Sequence, residues 1–67
     1  MRDVNRLDNF YETLKKLHKE TFPDWRFLQL TSNFMGWVYS EKHKDPFFCE
    51  ENECLELFTE FCKGLKQ

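Results

Sequence analysis

The fold depends on one stretch of the sequence, residues 24–40, which reads DWRFLQLTSNFMGWVYS. Its apolar side chains recur at helical spacing and predict one helical face, formed by Phe27, Leu28, Thr31, Phe34, Met35 and Val38. A β-hairpin pairing 25–31 with 34–40 is the rival, because the stretch is rich in aromatic and β-branched residues. Gly36 also costs a helix about 1 kcal/mol relative to alanine. However, Ser-Asn is a poor two-residue hairpin turn, so a helix is favoured and the hairpin remains the alternative.

The segments on either side have the periodicity of amphipathic helices. Residues 3–20 carry apolar side chains three and four positions apart, with Asp3 as a candidate N-cap. Residues 50–65 repeat that pattern, and the aromatics at 10–11 and 58–61 are expected in the core. The prediction is therefore one compact all-α domain with helices over 3–20, 24–40 and 50–65. The alternative is an α+β domain with a central hairpin between two helices.

Length and charge exclude several classes of protein. The chain has 67 residues and a net charge of −2, which is not the basic footprint of a nucleic-acid-binding protein. No apolar run approaches the ~18 residues of a membrane-spanning helix. Three cysteines are an odd number, which favours reduced thiols over a disulfide framework. We therefore expect a cytoplasmic protein that contacts no membrane and binds no nucleic acid directly.

The residues capable of chemistry are poorly spaced for it. The cysteines are Cys49, Cys54 and Cys62, and the histidines are His18 and His43. Cysteines 54 and 62 are two helical turns apart, too far to share one metal ion. Cys49 is the candidate nucleophile, but the acidic residues that follow it at 50, 51 and 53 disfavour its thiolate. The sequence thus predicts no catalytic residue, no metal site, no cofactor and no enzyme activity.

An aromatic surplus in the central segment suggests binding. One short element cannot bury aromatic side chains on every side, and exposed tryptophan and tyrosine are typical anchors of protein interfaces. The predicted partner-binding residues are Trp25, Arg26, Gln29, Trp37 and Tyr39. The pair Phe47 and Phe48 is a further unexplained apolar feature. The favoured function is a small protein–protein interaction module whose partner is another protein or, in a homodimer, a second copy.

Two segments resemble a loose group of short bacterial and phage proteins. They are PDWRFLQL at 23–30 and DPFFCEENE at 45–53, where the group has Pro-Asp-aliphatic-Arg-x-x-Gln-Leu and Asp-Pro-Phe-Tyr before an acidic run. This chain departs from the pattern at Trp25, Cys49 and Asn52. The resemblance implies a compact helical domain and carries no activity with it.

The charge of the last third offers a second hypothesis. Residues 45–67 carry two basic and six acidic side chains, a net charge of −4. The carboxylates predicted to form an acidic helix face are Glu50, Glu51, Glu53, Glu56 and Glu60. In this alternative the protein is a phage-type anti-defence inhibitor that presents the acidic helix as a nucleic-acid mimic.

Overall fold

Three α-helices dominate the computed structural model of the protein, which describes residues 2–65. They are α1 (Arg6–Thr21), α2 (Phe27–Trp37) and α3 (Glu51–Leu65). A π-helical turn (Val38–Lys42) prolongs α2, and a 3-10 turn (Pro46–Phe48) leads toward α3. No strand occurs between residues 2 and 65. The all-α prediction is confirmed, and the alternative with a central hairpin is wrong.

The helices begin later than the sequence pattern suggests. The Asp3 carboxylate accepts a hydrogen bond from the Asn5 backbone N–H (3.0 Å), but this stabilises a turn before α1 rather than the helix itself. The second helix begins at Phe27 rather than at residue 24, because the Gln29 side chain accepts a bond from the Arg26 backbone N–H (2.8 Å). Local side-chain contacts therefore displace both N-termini by three residues.

The second helix passes through Gly36 without interruption. A Cβ atom there would meet nothing within 4 Å, so the glycine is not needed for close packing. The π-helical turn ends at His43, which adopts the left-handed conformation (φ 55°, ψ 40°). This sharp reversal directs the chain back toward the beginning of α3.

The core is small and mostly aromatic. The Phe34 ring meets the rings of Phe58 and Phe61 at centroid distances of 5.2 and 5.5 Å. Phe22, which follows α1, lies 5.5 Å from Phe61. The buried residues are Phe22, Leu30, Phe34, Val38, Phe58, Phe61 and Cys62. None of them belongs to α1, so this amphipathic helix is only half covered.

The first and third helices run in parallel, and α2 packs against α3. Arg6 near the start of α1 binds Glu51 at the start of α3, and α1 packs along α3. Phe34 and Trp37 of α2 contact Phe58 and Phe61, which lie at the middle and in the second half of α3. A cleft remains between α1 and α2.

Candidate binding groove

The described residues line an apolar groove of about 290 Å³. It lies between α1 and α2, above α3, and the 3-10 turn reaches its edge. Its floor includes Leu30, Phe34 and Phe58, and its exposed rim consists of Tyr11, Phe27 and Phe47. The rim side chains are 57%, 58% and 77% exposed, respectively. We call this site the groove and these three side chains the rim.

Each rim ring is positioned by a different element. Tyr11 meets the Phe10 ring edge to face at 5.0 Å on α1. Phe27 is the first residue of α2. The Phe47 backbone N–H donates to the Asp45 carboxylate (2.9 Å), which fixes the 3-10 turn. The same carboxylate oxygen accepts a bond from the Tyr39 hydroxyl (2.9 Å).

The lining of the groove carries no charged side chain, although 33% of the residues in the chain are charged. Its polar members are the Tyr11 hydroxyl, the Thr31 hydroxyl and the Cys54 thiol. Burial raises the pKa of the Cys54 thiol, which keeps it protonated near neutral pH. The Thr31 hydroxyl donates to the Phe27 carbonyl (2.9 Å) within α2. The groove is thus suited to an apolar surface and not to an anion or a cation.

Sequence reasoning missed two of the three rim residues. Tyr11 was expected in the core and Phe27 on a buried helical face, yet both are more than half exposed. The angle between α1 and α2 is a property of tertiary packing, and no local sequence signal reports it. Only Phe47 carried a visible signal, as half of an apolar pair in a charged connection.

The two predicted tryptophan anchors pack against the core. The Trp25 ring stacks on Phe22 (4.2 Å, 7° between planes), and the Trp25 carbonyl accepts a bond from His18 Nε2 (2.8 Å). Trp37 lies 5.5 Å from Phe61, with the Lys42 ammonium 5.7 Å from its ring centroid. Both rings are half-buried, which limits the area that either can offer to a partner.

The other three predicted partner-binding residues are exposed. Gln29 and Trp25 line a polar depression beside Leu28, separate from the groove. Arg26 precedes α2, whereas Tyr39 lies in the π-helical turn, 52% exposed. The hydrogen bond from the Tyr39 hydroxyl to the Asp45 carboxylate raises the pKa of Tyr39. The predicted patch is therefore divided among several places, and the groove is the larger continuous apolar surface.

Most of the predicted acidic face is paired with basic side chains of the same chain. Arg2 binds Glu50 (2.7 Å), and Arg6 binds Glu51 (2.8 Å). Glu53 and Glu60 form ion pairs with Lys44 and Lys42, respectively. The bond from Arg6 lowers the pKa of Glu51, and that from Lys44 lowers the pKa of Glu53. Glu56 is exposed and forms no ion pair within residues 2–65.

Cys49 and Cys54 carry free thiols in the part of the chain that the structure describes. Burial raises the pKa of Cys49, and the neighbouring Glu53 carboxylate raises it further. Raised pKa values oppose thiolate formation and thus nucleophilic chemistry. Between residues 2 and 65, no three His, Cys, Asp or Glu side chains converge into a candidate metal site.

Comparisons with family models, curated proteins and solved structures found no match. The resemblance to short bacterial and phage proteins therefore stays a prediction. Among the described residues, no helix has the length and apolar character to cross a membrane. The groove itself is accordingly the basis for a functional proposal.

Proposed function

We propose that this protein is a small, non-catalytic protein–protein interaction module that binds its partner in the groove. The observation that carries the proposal is the rim, where three aromatic side chains remain more than half exposed beside an uncharged cleft. Exposed apolar patches bordered by polar residues mark interaction sites in small proteins. Aromatic anchors at the centre of an interface supply most of its binding energy.

The rim area is large enough to matter for binding. Taking about 200 Å² for each ring, the exposed parts of the rim amount to roughly 400 Å². At about 25 cal/mol per Å², burying that area contributes roughly 10 kcal/mol before the costs of association. Those costs are on the order of 4–15 kcal/mol, so the rim can anchor a complex when the partner adds its own apolar surface.

A protein partner fits the groove better than a small ligand does. The volume of about 290 Å³ is at the lower limit of small-molecule pockets, which enclose most of their ligand. Here the rim rings stand exposed around the cleft instead of enclosing it. An amphipathic helix that places apolar side chains between α1 and α2 would satisfy both surfaces.

A non-catalytic role is supported by the chemistry of the lining. The groove has no carboxylate, histidine or basic side chain to transfer a proton, and its one thiol has a raised pKa. Free thiols also fit the proposed cytoplasmic location, where the environment is reducing. The acidic-helix mimic has weaker support, because four of its five carboxylates are paired.

Two neighbouring phenylalanines provide a matched test of the groove. Phe47 and Phe48 are 77% and 76% exposed, but only Phe47 lines the groove. We would replace each in turn with the photo-crosslinking residue p-benzoyl-phenylalanine and irradiate cells of the source organism. We expect a discrete protein adduct from position 47, little from position 48, and loss of the adduct when Phe27→Asp is added. Equal labelling at both positions, or none at either, would refute the groove as the interface.

A further inference from the structure

The chain exposes more surface than is expected for a folded monomer of its mass. A folded monomer of 8.3 kDa is expected to expose about 4,600 Å². This chain exposes 5251 Å². The excess of roughly 650 Å² is close to the ~800 Å² that each partner buries in a standard interface. The radius of gyration, 11.9 Å, also exceeds the roughly 11 Å expected for 67 residues.

One edge of the groove carries a self-complementary charge pattern. Asp8, Tyr11 and Lys15 follow one another along α1 at spacings of three and four, so they form one stripe. All three side chains are exposed. Tyr11, a rim residue, lies between an acidic and a basic group. Two such stripes placed antiparallel about Tyr11 bring each Asp8 opposite the Lys15 of the other copy.

The existing contacts leave this stripe available. Lys15 makes one ion pair, a 3.5 Å contact with Glu12 on the same helix, and both side chains are well exposed. Exposed pairs of this kind contribute little to stability, so redirecting Lys15 has a small cost. The two other rim rings stand across the groove from the stripe, where they can cover the apolar surface of an opposing copy.

From these observations we propose that the partner in the groove is a second copy of this chain. The two copies pack about a two-fold axis near Tyr11, with their α1 helices antiparallel. The interface is isologous, so the rim of each copy is buried by the same surface of the other. This inference rests on the proposed function and names the partner of that site.

The first measurement is the mass of the purified chain by sedimentation equilibrium, from low micromolar to near-millimolar concentration. We expect the mass to rise from 8.3 kDa toward twice that value. Tyr11→Ala should keep the protein monomeric with unchanged helicity by circular dichroism. A wild-type chain that stays monomeric throughout overturns the inference. If the crosslinker at position 47 then captures a different protein, the proposed function stands without it.

The second measurement tests the arrangement of the two copies by charge exchange. Asp8→Lys places like charges at two symmetric contacts, and Lys15→Glu does the same with the opposite sign. Each should raise the dimer dissociation constant roughly tenfold, since two exposed pairs per dimer are lost and replaced by repulsion. The double variant should return within about threefold of wild type, a difference below one kcal/mol.

Glu56→Lys is the matched control, because it changes the net charge by the same amount on the side of α3 away from the groove. It should leave the dissociation constant within about threefold of wild type. The arrangement is overturned if Asp8→Lys has no more effect than this control, or if the double variant is no tighter than the single variants.

Discussion

Replacing Phe34 with alanine tests the core and the groove floor together. The ring is 8% exposed and lies between Phe58 and Phe61 at centroid distances of 5.2 and 5.5 Å. Phe47→Ala is the matched comparison, because the same side chain is removed from a position that is 77% exposed. The two variants differ in burial and not in the chemistry of the substitution.

The expected losses follow from the covered area of each ring. With about 200 Å² per phenylalanine, Phe34 has roughly 180 Å² covered and Phe47 roughly 45 Å². At about 25 cal/mol per Å², these areas correspond to about 4–5 and about 1 kcal/mol. A core of this size rarely supplies more than roughly 3–5 kcal/mol of net stability. Phe34→Ala should therefore be largely unfolded at 25 °C, whereas Phe47→Ala should remain folded.

The measurement is urea denaturation followed by far-ultraviolet circular dichroism, at a protein concentration low enough to keep the chain monomeric. Phe34→Leu provides an intermediate, because a volume-conserving apolar exchange usually costs less than about 1.5 kcal/mol. The expected order of unfolding free energy is wild type, Phe47→Ala, Phe34→Leu, Phe34→Ala, with the middle pair close together. Equal stability of the two alanine variants would refute the described core.

Three further predictions concern the turns and the ion pairs. His43 adopts a left-handed conformation, which glycine adopts readily and valine does not. His43→Gly should therefore preserve or raise the free energy of unfolding, whereas His43→Val should lower it by about 1–3 kcal/mol. Comparable urea midpoints for the two variants would contradict this. Because the bond from Arg6 lowers the folded-state pKa of Glu51, the stability from this pair is present above the unfolded-state pKa and lost as pH falls through the folded-state pKa. Glu51→Gln should therefore flatten the acid limb of a plot of thermal midpoint against pH, and an unchanged limb would argue against the pair. Asp45→Asn should move the pKa of Tyr39 down toward its ordinary value in a spectrophotometric titration, because the Asp45 carboxylate raises it; an unaltered titration curve would show that the bond is not formed in solution.

The helices themselves were predictable from apolar spacing. Leu30, Phe34 and Val38 repeat every four residues and are all buried, so the central segment packs along a helical stripe. A hairpin turning at 32–33 would have placed Leu30 opposite Met35, on the face away from Phe34 and Val38, so the three buried side chains could not have shared one core face. Helical periodicity therefore outweighed the aromatic and β-branched content of the segment.

The helix boundaries and the tryptophans were not predictable in the same way. Trp25 was assigned to a helical surface, but it lies in the turn before α2, where it stacks on Phe22 and is fixed by His18. That contact joins residues on two elements, and neither spacing nor propensity reports it. Arg26 consequently occupies the N-cap position, and the helix begins three residues after the predicted start at residue 24.

The groove is lined by residues of all three helices and of the 3-10 turn. The first and third helices lie side by side from their N-termini, as the pair between Arg6 and Glu51 shows. The sequence pattern predicted Tyr11 in the core, but its side chain is 57% exposed at the edge of the groove. Phe27, Leu30 and Phe34 of α2 line the groove together with Tyr11, and the 3-10 turn adds Phe47, yet Tyr11, Phe27 and Phe47 remain more than half exposed. The rim is apolar surface that the helices of the chain leave exposed. In our proposal the opposing α1 of a second copy covers it.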